Sequence, residues 1–492
     1  MQIRAQTNNQ RTHLLGLTDE QRETLDTELS FALPGAYFMP KTKWWQDGRK
    51  HFIYRDGLST GLFLAVKQQL QKKFGFWFDV TTDYVVVERT EDQTRSDRPY
   101  QNQCVTAMLS TPVGGLVLGA TGSGKTYIVG LYLKKVTERA VFILDELTLL
   151  FQARKEIARV LGEPVGIIGK GKWEPERVTI ATIQTLHLHR GTPRYRAWAK
   201  GIGVVIVDEL HLAMNRRNFF VVKYLRSKVR FGLTATLQLQ KKEVKFRAYE
   251  VCGPTLFEYP LHQGVAEGYL SHGLVVMADC YHDGVPSYWR GLEGYQEAYT
   301  SIITEHKERN HRIVAIVEAA YNAGHHVVLL CDRVPHIKEL GRLLAGIPHR
   351  LVYGAVPVEK RQAACKDFDE GKLRLIIANR VFKKGINIKA ITFIVECSGS
   401  KDPNDCIQKY GRGVRMSPGK DGLIYVDIRD RQTTEGESLG CLHLFARAAR
   451  VRAKTFRKAG IPLVTVQPAM AAAELVRRAE RRLKSTSSTK VK

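Results

Sequence analysis

The sequence predicts an α/β protein in which a small α+β N-terminal module precedes two tandem domains, each built on a parallel sheet. Two series of short apolar runs carry this prediction, one within residues 95–260 and the other within 327–426. Amphipathic stretches separate the runs in both series, and such alternation is typical of strand–helix units on parallel sheets. The length of 492 residues agrees, since it corresponds to about three domains. The predicted boundaries are 1–92 for the N-terminal module, 93–262 and 263–440 for the two sheet domains, and 441–492 for a basic helical extension with a tail.

The amino-acid composition is that of a globular protein with a large positive charge. Hydrophobic residues make up 44% of the chain, enough to fill several cores, and 75 Lys and Arg against 49 Asp and Glu leave a net charge of +26. That excess predicts a polyanionic partner, nucleic acid ahead of an anionic membrane, although a generally basic surface gives the same total. No apolar stretch approaches the roughly 20 residues of a membrane span, and no apolar signal segment follows Met1. The eight cysteines include no Cys-x-x-Cys pair, so we expect a soluble protein in the reducing cytoplasm, without a disulfide framework or a zinc ribbon.

The N-terminal module combines turn signals with aromatic and basic residues. Pro34-Gly35 and Asp56-Gly57 separate short apolar runs, which predicts a small α+β or β-rich unit. Two adjacent tryptophans lie among basic residues, and a branched or single-stranded nucleic acid uses this combination of stacking faces and phosphate-pairing charge. The candidate contacts are Lys43, Trp44, Trp45 and Arg49. The alternative is that a tryptophan fills the core of the module and the basic residues are solvated surface.

The first series of apolar runs predicts five strands, and a phosphate-binding loop follows the first of them. The strands are 115–118, 141–144, 178–181, 204–207 and 229–233. Residues 119–126 fit G-x-x-x-x-G-K-[ST] between a strand and a helix, where loop N–H groups point at a β-phosphate. Lys125 adds a positive charge at the β and γ phosphates, and Thr126 offers a hydroxyl to Mg²⁺. The candidate nucleotide-binding residues of the loop are Gly119, Ala120, Thr121, Gly122, Ser123, Gly124, Lys125 and Thr126. A glycine-rich turn without nucleotide is the alternative.

A pair of carboxylates follows the fourth predicted strand. Asp208 and Glu209 come directly after residues 204–207, at the carboxyl end where ligands of open parallel sheets bind. We expect Asp208 to hold Mg²⁺ through water and Glu209 to accept a proton from an attacking water. His211 is placed to link this site to the neighbouring domain. An Asp-Glu pair after a strand is more often a helix cap, but its place one α/β stretch after the phosphate loop favours the catalytic interpretation.

With these motifs the chain resembles the superfamily 2 helicases and translocases of the DExH type, and the resemblance covers most of residues 98–428. It implies two RecA-like domains with ATP and Mg²⁺ bound between them, and hydrolysis that drives movement along nucleic acid. Arg98, Tyr100 and Gln101 are similar to the family's adenine-recognition segment. The resemblance implies that Gln101 hydrogen-bonds the base edge and that Tyr100 packs on the base.

The same resemblance assigns residues to the nucleic-acid strand. Thr182 matches the motif whose threonine contacts the backbone, and Arg154 is a plausible further contact. Arg333 falls where relatives track the backbone or support the cleft. Thr234 and Thr236 lie in the T-A-T element that couples the ATP state to the bound strand.

Two departures from the family pattern stand out. An acidic pair, Asp145-Glu146, lies near an expected backbone-contact surface and puts strand contacts there in doubt. Gly385 and Asn387 occupy the place of the usual G-[IV]-D coupling element, with an amide where relatives have a carboxylate.

The second series of apolar runs predicts a second sheet followed by a basic motif. Its strands are 327–330, 349–352, 373–378, 393–397 and 422–426. Residues 408–415 fit Q-x-x-G-R-x-x-R, and helical spacing puts Gln408, Arg412 and Arg415 on one face. Two guanidiniums so placed are suited to act as arginine fingers on a transferred phosphoryl group, whereas the alternative is an exposed basic helix. The candidate catalytic residues are Lys125, Asp208, Glu209, His211, Gln408, Arg412 and Arg415.

The N-terminal module resembles, more loosely than the motor does, the DNA-binding domain of UvsW-type phage branch-migration helicases. The segments that carry this resemblance are Leu33-Pro34-Gly35, residues 44–49 and Thr60-Gly61-Leu62. It implies an ATP-dependent DNA helicase or translocase that remodels forks, Holliday junctions or R-loops in replication, recombination or repair, in the host cell cytoplasm if phage-encoded. Three alternatives stay open: a DExH RNA helicase, a translocase subunit of a restriction-type complex, and a nucleic-acid-binding factor that does not hydrolyse ATP. The basic run 477–484 is a further candidate for nucleic-acid contact, and residues 485–489 are expected to form a frayed tail.

Overall fold

The chain forms two compact units. The computed structural model describes residues 2–32, 49–234, 242–282, 291–379, 388–399, 402–432, 441–467 and 469–488. By contact, the first unit is Met1–Gly119 with Gly124–Tyr259, and the second is Ala120–Ser123 with Pro260–Lys492. In the part of the chain so described, no helix combines the length and the apolar character that crossing a bilayer requires.

A four-stranded sheet and two helices form the N-terminal module, as the α+β prediction requires. Its elements are β1 (Gln2–Asn8), β2 (Arg11–Leu15), α1 (Asp19–Glu28), β3 (Ser30–Ala32), β4 (Arg49–His51), β5 (Gly57–Ser59), α2 (Thr60–Phe74) and β6 (Trp77–Asp83). The sheet order is β5-β2-β1-β6, with β1 antiparallel to β2 and parallel to β6, and β3 pairs with β4 separately. Exposed and buried residues alternate along β1, so one face of the sheet packs against the apolar sides of α1 and α2.

An eight-stranded sheet organises the rest of the first unit. Its elements are α3 (Pro99–Leu109), β7 (Gly114–Gly119), α4 (Lys125–Lys134), β8 (Ala140–Leu144), α5 (Leu147–Leu161), β9 (Gly166–Gly169), β10 (Lys172–Glu174), β11 (Val178–Thr182), α6 (Ile183–His189), α7 (Pro193–Lys200), β12 (Val204–Val207), α8 (Leu210–Ala213), α9 (Arg216–Tyr224), β13 (Val229–Thr234), α10 (Lys242–Cys252) and β14 (Thr255–Tyr259). The order is β10-β9-β11-β8-β12-β13-β7-β14, and every pairing except that of β10 is parallel. Successive residues of the central strands enter different hydrophobic clusters, so helices cover both faces. All five predicted strands are present.

The N-terminal module packs directly on α10 of the first unit. A Cβ added to Gly61 at the start of α2 would lie 2.3 Å from the carbonyl oxygen of Tyr249, so only glycine permits this approach. The ring of Phe52 meets that of Phe246 edge-on at 5.4 Å between centroids. Asn9 adds a polar anchor, since its Nδ2 donates to the carbonyl oxygens of Val85, Pro112 and Lys228.

A seven-stranded, wholly parallel sheet organises the second unit. Its elements are α11 (Leu261–Ala266), β15 (Gly273–His282), α12 (Gly291–Tyr299), a π-helical turn (Thr300–Thr304), α13 (Lys307–Asn322), β16 (Val327–Leu330), α14 (Val334–Leu343), β17 (Arg350–Val352), α15 (Val358–Asp369), β18 (Leu375–Ala378), β19 (Phe393–Glu396), α16 (Pro403–Gly413), β20 (Leu423–Gln432), α17 (Cys441–Lys458), β21 (Leu463–Val466) and α18 (Ala472–Ser488). The order is β17-β18-β16-β19-β20-β15-β21. The two parallel sheets confirm the α/β class with two RecA-like domains, and the strands predicted for the second series are all present.

The C-terminal extension is built into this second sheet. β21 pairs with β15 as the seventh strand, and α18 buries Leu475, Val476 and Leu483 in the core. The prediction of a frayed tail was wrong for residues 485–488, because α18 continues to Ser488. The packing of its apolar face, invisible in the polar local sequence, stabilises this last turn.

Candidate active site

The phosphate loop has the backbone that its glycines predict. It leaves β7 at Gly119 and enters α4 at Lys125, and Gly122 and Gly124 adopt positive φ angles of 90° and 77° that other residues rarely take. Because Gly124 is the N-cap and carries no side chain, the first-turn N–H groups of α4 remain available for a phosphate. Lys125 Nζ donates to the Gly119 carbonyl oxygen at 3.2 Å, which places the ammonium over the loop.

The tip of the loop belongs by contact to the second unit. Ala120 is 4% exposed and packs in the hydrophobic cluster that contains Leu270, and Ser123 N–H donates to the Ala120 carbonyl oxygen at 3.1 Å. Gly411 of α16 also lies against this tip, since an added Cβ there would stand 2.7 Å from Thr121 Cβ. The glycine of the Q-x-x-G-R-x-x-R motif therefore allows a close approach of α16 to the tip.

The sheet topology brings the two predicted carboxylates to the edge where the phosphate loop begins. β12 and β7 flank β13 in parallel, and Asp208 follows β12 just as Gly119 ends β7. Asp208 Oδ1 is buried and accepts no hydrogen bond from the described residues. Burial, and next the neighbouring Glu209 carboxylate, raise the pKa of Asp208 to about 6, against the opposing attraction of Lys125. A buried carboxylate oxygen of this kind suits Mg²⁺, which prefers oxygen ligands, and Thr126 in the first turn of α4 offers a hydroxyl of the same kind.

Glu209 has a strained backbone and a polar link to the next strand. Its φ of 45° and ψ of 52° are left-handed, a conformation that costs a non-glycine residue on the order of 1–3 kcal/mol and is frequent at functional sites. Its Oε2 lies 3.4 Å from His211 Nδ1, and that ring nitrogen is 3.2 Å from Thr234 Oγ1 at the end of β13. The sequence predicted each of these residues but not the contact that joins them.

The predicted adenine segment is packed inside the first unit. Arg98 is the N-cap of α3, and its guanidinium donates to Tyr100 Oη at 3.3 Å. The Tyr100 ring is 2% exposed and stacks on Tyr259 at 3.8 Å between centroids, so that face of the ring packs on protein. Gln101 is 3% exposed, and its Oε1 accepts a short hydrogen bond from Ser96 Oγ. Ser96, which the sequence reasoning missed, therefore orients the amide of Gln101; contact of either residue with a base stays a prediction.

The predicted nucleic-acid contacts of the first unit make hydrogen bonds within the protein. Arg154 Nε donates to the Val165 carbonyl oxygen at 2.6 Å, and Thr182 Oγ1 lies 2.8 Å from Thr185 Oγ1. Arg49 Nε donates to Ser30 Oγ at 2.9 Å. Their roles toward nucleic acid stay predictions, and Lys43, Trp44, Trp45 and Thr236 lie outside the described residues.

The acidic pair that departs from the family pattern is partly engaged by the predicted strand-contact motif. Gln184 Nε2 donates to the backbone oxygen of Asp145 at 2.7 Å and to its Oδ1 at 2.9 Å.

In the second unit, the Arg333 guanidinium lies 4.1 Å above the Tyr299 ring and donates to Thr300 Oγ1 at 2.8 Å. Gly385 and Asn387 lie outside the described residues.

The arginine motif of the second unit is only partly helical. Gln408 and Arg412 lie on α16, but this helix ends at Gly413 and Arg415 forms an isolated antiparallel bridge with Leu270. The prediction that helical spacing aligns all three side chains was therefore wrong for Arg415. The cause is close packing, since a Cβ on Gly413 would stand 2.6 Å from the Leu423 side chain.

Buried charges fix α16 on its sheet. Lys409 Nζ lies 2.5 Å from Glu396 Oε2 and 3.0 Å from Asp405 Oδ2, and all three side chains are almost fully buried. Tyr425 Oη donates to Glu396 Oε2 at 3.0 Å. The two carboxylates raise the pKa of Lys409 against the effect of burial, which is the largest single influence. In the sequence Lys409 is one more basic residue of the motif; in the structure it positions the helix that carries Gln408 and Arg412.

Two family matches cover the segments that carry these motifs. Residues 95–239 match the family "Type III restriction enzyme, res subunit", and residues 307–417 match "Helicase conserved C-terminal domain".

Curated relatives match at low identity. The ATP-dependent RNA helicase DBP8 of Gibberella zeae is 25% identical over 137 residues, which are 27% of this chain and 25% of that protein, so the chain spans about a quarter of that relative's length. The DNA 3'-5' translocase XPB2 of Sulfurisphaera tokodaii is 20% identical over 362 residues, which are 67% of this chain and 81% of that protein.

A solved structure shares the fold. Dbp5 of S. cerevisiae, bound to RNA and ADP BeF3, aligns over 79% of this chain and 93% of its own with 14% identity and a TM-score of 0.54. UvsW of bacteriophage T4 covers 95% of this chain and 100% of its own with 18% identity and a TM-score of 0.43. The two family matches, one in each parallel-sheet domain, together indicate a helicase of superfamily 2.

Proposed function

We propose that this helicase is a DNA translocase that remodels branched DNA such as forks, Holliday junctions and R-loops. One observation carries the proposal: the N-terminal module is docked on the first sheet domain, through Gly61 against α10 and through Asn9 on the carbonyl oxygens of Pro112 and Lys228, so any DNA contact of the module moves together with the first motor domain. Two coupled grips on nucleic acid are what a branch requires, one for the translocated strand and one for the arm beside it. The long match to a DNA translocase supports DNA as the substrate.

The first unit supplies the groups that bind and cleave ATP in this proposal. Lys125 and the N–H groups at the start of α4 hold the β and γ phosphates, and Gln101 selects the base. Asp208 and Thr126 hold Mg²⁺, which when bound neutralises charge on the phosphate oxygens. Glu209 orients the attacking water and accepts its proton.

The second unit contributes positive charge to the transferred phosphoryl group. We assign Arg412 and Arg415 to this role and Gln408 to contact with the water or the phosphate. A buried ion-pair network anchors helix α16, which carries Arg412. Because the helix is already fixed, the backbone of Arg412 loses little conformational entropy when the phosphate binds. His211 reports the state of Glu209 to Thr234, the first threonine of the T-A-T element.

The test compares ATP hydrolysis with four nucleic acids at equal nucleotide concentration: a forked DNA, a blunt duplex, a single DNA strand and a single RNA strand. We expect the fork to stimulate hydrolysis most, and we expect ATP-dependent unwinding or branch migration on the fork. Lys125→Ala is the control that should lose hydrolysis while it keeps nucleic-acid binding, because it removes a charge at the phosphates only. Equal stimulation by blunt duplex and fork would contradict the assignment to branches.

A second candidate function is unwinding of RNA. The match to fungal RNA helicases supports it, although it covers only 27% of this chain. Stronger stimulation by RNA than by every DNA in the same assay would establish this candidate and overturn the DNA assignment.

A further inference from the structure

Helix α17 presents a row of exposed basic side chains. They are Arg447, Arg450, Lys454, Arg457 and Lys458, and we call them the α17 stripe. The helix contains no Asp or Glu, so no residue of its own offsets this charge. The spacing of three, four and three residues keeps the first four on one face over about 15 Å of helix.

The other face of α17 is fixed in the core of the second unit. Ala449, Ala453 and Phe456 pack in a hydrophobic cluster, and Arg452 Nη2 lies 2.7 Å from Asp427 Oδ1 in a buried ion pair. A buried pair of this kind resists opening, because separating the partners leaves a charge without compensation. The stripe is therefore a preformed surface, and a ligand does not have to order it.

The two basic helices of the C-terminal extension lie on opposite faces of the sheet. Phe456 of α17 shares its cluster with Tyr410 of α16, and their rings are 6.0 Å apart. Leu475 of α18 packs instead with Ile313 and Val317 of α13 in the cluster on the other face. Only α17 therefore shares a layer with the helix that carries Arg412, although both helices have exposed basic residues.

A groove opens beside the first residue of the stripe. It has a volume of about 530 Å³ and is lined in part by Tyr295, Gly399, Leu444, Phe445 and Arg447. The rings of Tyr295 and Phe445 are 5.8 Å apart, and Leu444 is 46% exposed on the helix that carries the stripe. Apolar and aromatic walls next to a guanidinium suit an unstacked base, which a single strand offers and an intact duplex does not.

We propose that α17 binds a single nucleic-acid strand, with its phosphates along the stripe and a base in the groove at Leu444. The choice of DNA as that strand rests on the proposed function. The surface itself lies beyond residue 417, where the matched helicase domain ends. The basic residues of α18, which the sequence analysis named as candidates for nucleic-acid contact, have no part in this proposal.

The test uses paired charge reversals in the full chain, without ATP. The variant R450E/K454E changes the stripe, and R478E/R482E makes the same change of charge on exposed residues of α18. Anisotropy titrations with a labelled single DNA strand at several salt concentrations give the affinity and its salt dependence. We expect the α17 variant to bind about tenfold more weakly, with a slope of log K against log salt reduced by about 1.4 for two lost contacts. We expect the α18 variant to stay within about threefold of the wild type, because its charges enter only through the long-range field.

Two results would overturn the proposal: an equal loss of affinity in both variants, which indicates general charge, or retained affinity in R450E/K454E. Thermal unfolding of both variants confirms that they fold.

L444D tests the groove. We expect this variant to bind a single strand more weakly but a blunt duplex as well as the wild type does; an equal loss of affinity for both would show that no base binds in the groove. The same titrations with single-stranded RNA separate the α17 surface from the proposed DNA function. If R450E/K454E weakens RNA binding to the same extent, the stripe is a nucleic-acid surface even if the DNA function fails.

Discussion

The ring of His211 joins the hydroxyl of Thr234, with 3.2 Å between Nδ1 and Oγ1, and the same nitrogen lies 3.4 Å from Glu209 Oε2. These three residues come from the ends of neighbouring parallel strands, β12 and β13. If Glu209 is the catalytic carboxylate that we propose, a change in its charge or position during hydrolysis reaches the end of β13 through one imidazole. This contact is then a physical route from Glu209 to the element that we assign to strand coupling.

Removing that route should uncouple hydrolysis from nucleic acid. We expect His211→Ala to lower the ratio of nucleic-acid-stimulated to unstimulated ATPase rates by about tenfold, the size of an ordinary coupling between two sites. Thr234→Val, which keeps the shape and removes the hydroxyl, should have a similar effect. The double variant should be no worse than either single one, because all three break one link. Additive losses in that cycle would show that the two residues act separately.

The raised pKa of Asp208 makes a prediction about stability and pH. Its pKa of about 6 exceeds that of a free carboxyl, so ionisation of Asp208 destabilises the folded protein. This loss of stability is complete above pH 6 and becomes smaller as the pH falls below 6. Asp208→Asn removes this cost. We expect its Tm to exceed that of the wild type by on the order of 5 °C at pH 8, and the difference to shrink toward pH 5.

The same variant should lose the response to Mg²⁺. Mg²⁺ with a non-hydrolysable ATP analogue should raise the Tm of the wild type but not of Asp208→Asn, and ATP hydrolysis by the variant should be abolished. A variant that is less stable than the wild type at pH 8 would show that the carboxylate is compensated in the fold, and would remove the argument for a metal ligand.

Arg412 should contribute to turnover rather than to ATP binding. Removal of an arginine finger costs on the order of 10³ in kcat, because its charge acts mainly on the transition state. We therefore expect Arg412→Ala to lose about this factor in kcat, with little change in the affinity for ATP measured by equilibrium titration. Arg342→Ala is the matched control, since Arg342 is an exposed residue of α14 that pairs only with Glu339 of its own helix among the contacts described. Similar kcat values for both variants would exclude Arg412 from the finger role.

Local patterns in the sequence were enough to predict the strands and the phosphate loop. β12 and β16 match their predicted bounds, because a run of four β-branched or leucine residues is typical of a short strand that is buried on both faces. The positive φ angles at Gly122 and Gly124 likewise follow from the motif itself. Adjacent residues determine such features, so they can be predicted from the local sequence.

Features that depend on distant residues were not predictable. In the sequence Lys409 looks like part of a basic face. In the structure its buried ion pair with Glu396 of β19 fixes α16 on the sheet. Arg415 leaves the helical pattern because Gly413 packs against Leu423, and helical spacing alone gives no sign of that contact. The seventh strand, β21, is four residues long and is recognisable only by its pairing with β15.

Asn9 gives a test of the docking on which the proposed function depends. Its Nδ2 donates to the carbonyl oxygens of Val85 at 2.9 Å, Pro112 at 2.9 Å and Lys228 at 3.2 Å, and its Oδ1 accepts from Val85 N–H at 2.7 Å. Asn9→Ala removes all four contacts and should destabilise the docked module by about 2 kcal/mol or more, since each hydrogen bond contributes about 0.5–1.5 kcal/mol. Hydrogen exchange of β1 and α2 should accelerate accordingly.

The functional consequence of loosening the module distinguishes branch remodelling from simple translocation. If both grips must move together, Asn9→Ala should reduce branch migration more than single-strand-stimulated ATP hydrolysis, because the motor residues are untouched. Gln6→Ala, at an exposed position on β1, the strand that ends just before Asn9, is the control and should change neither exchange nor activity. Accelerated exchange with unchanged branch migration would show that docking is dispensable, and the argument for remodelling from the position of the module would then be lost.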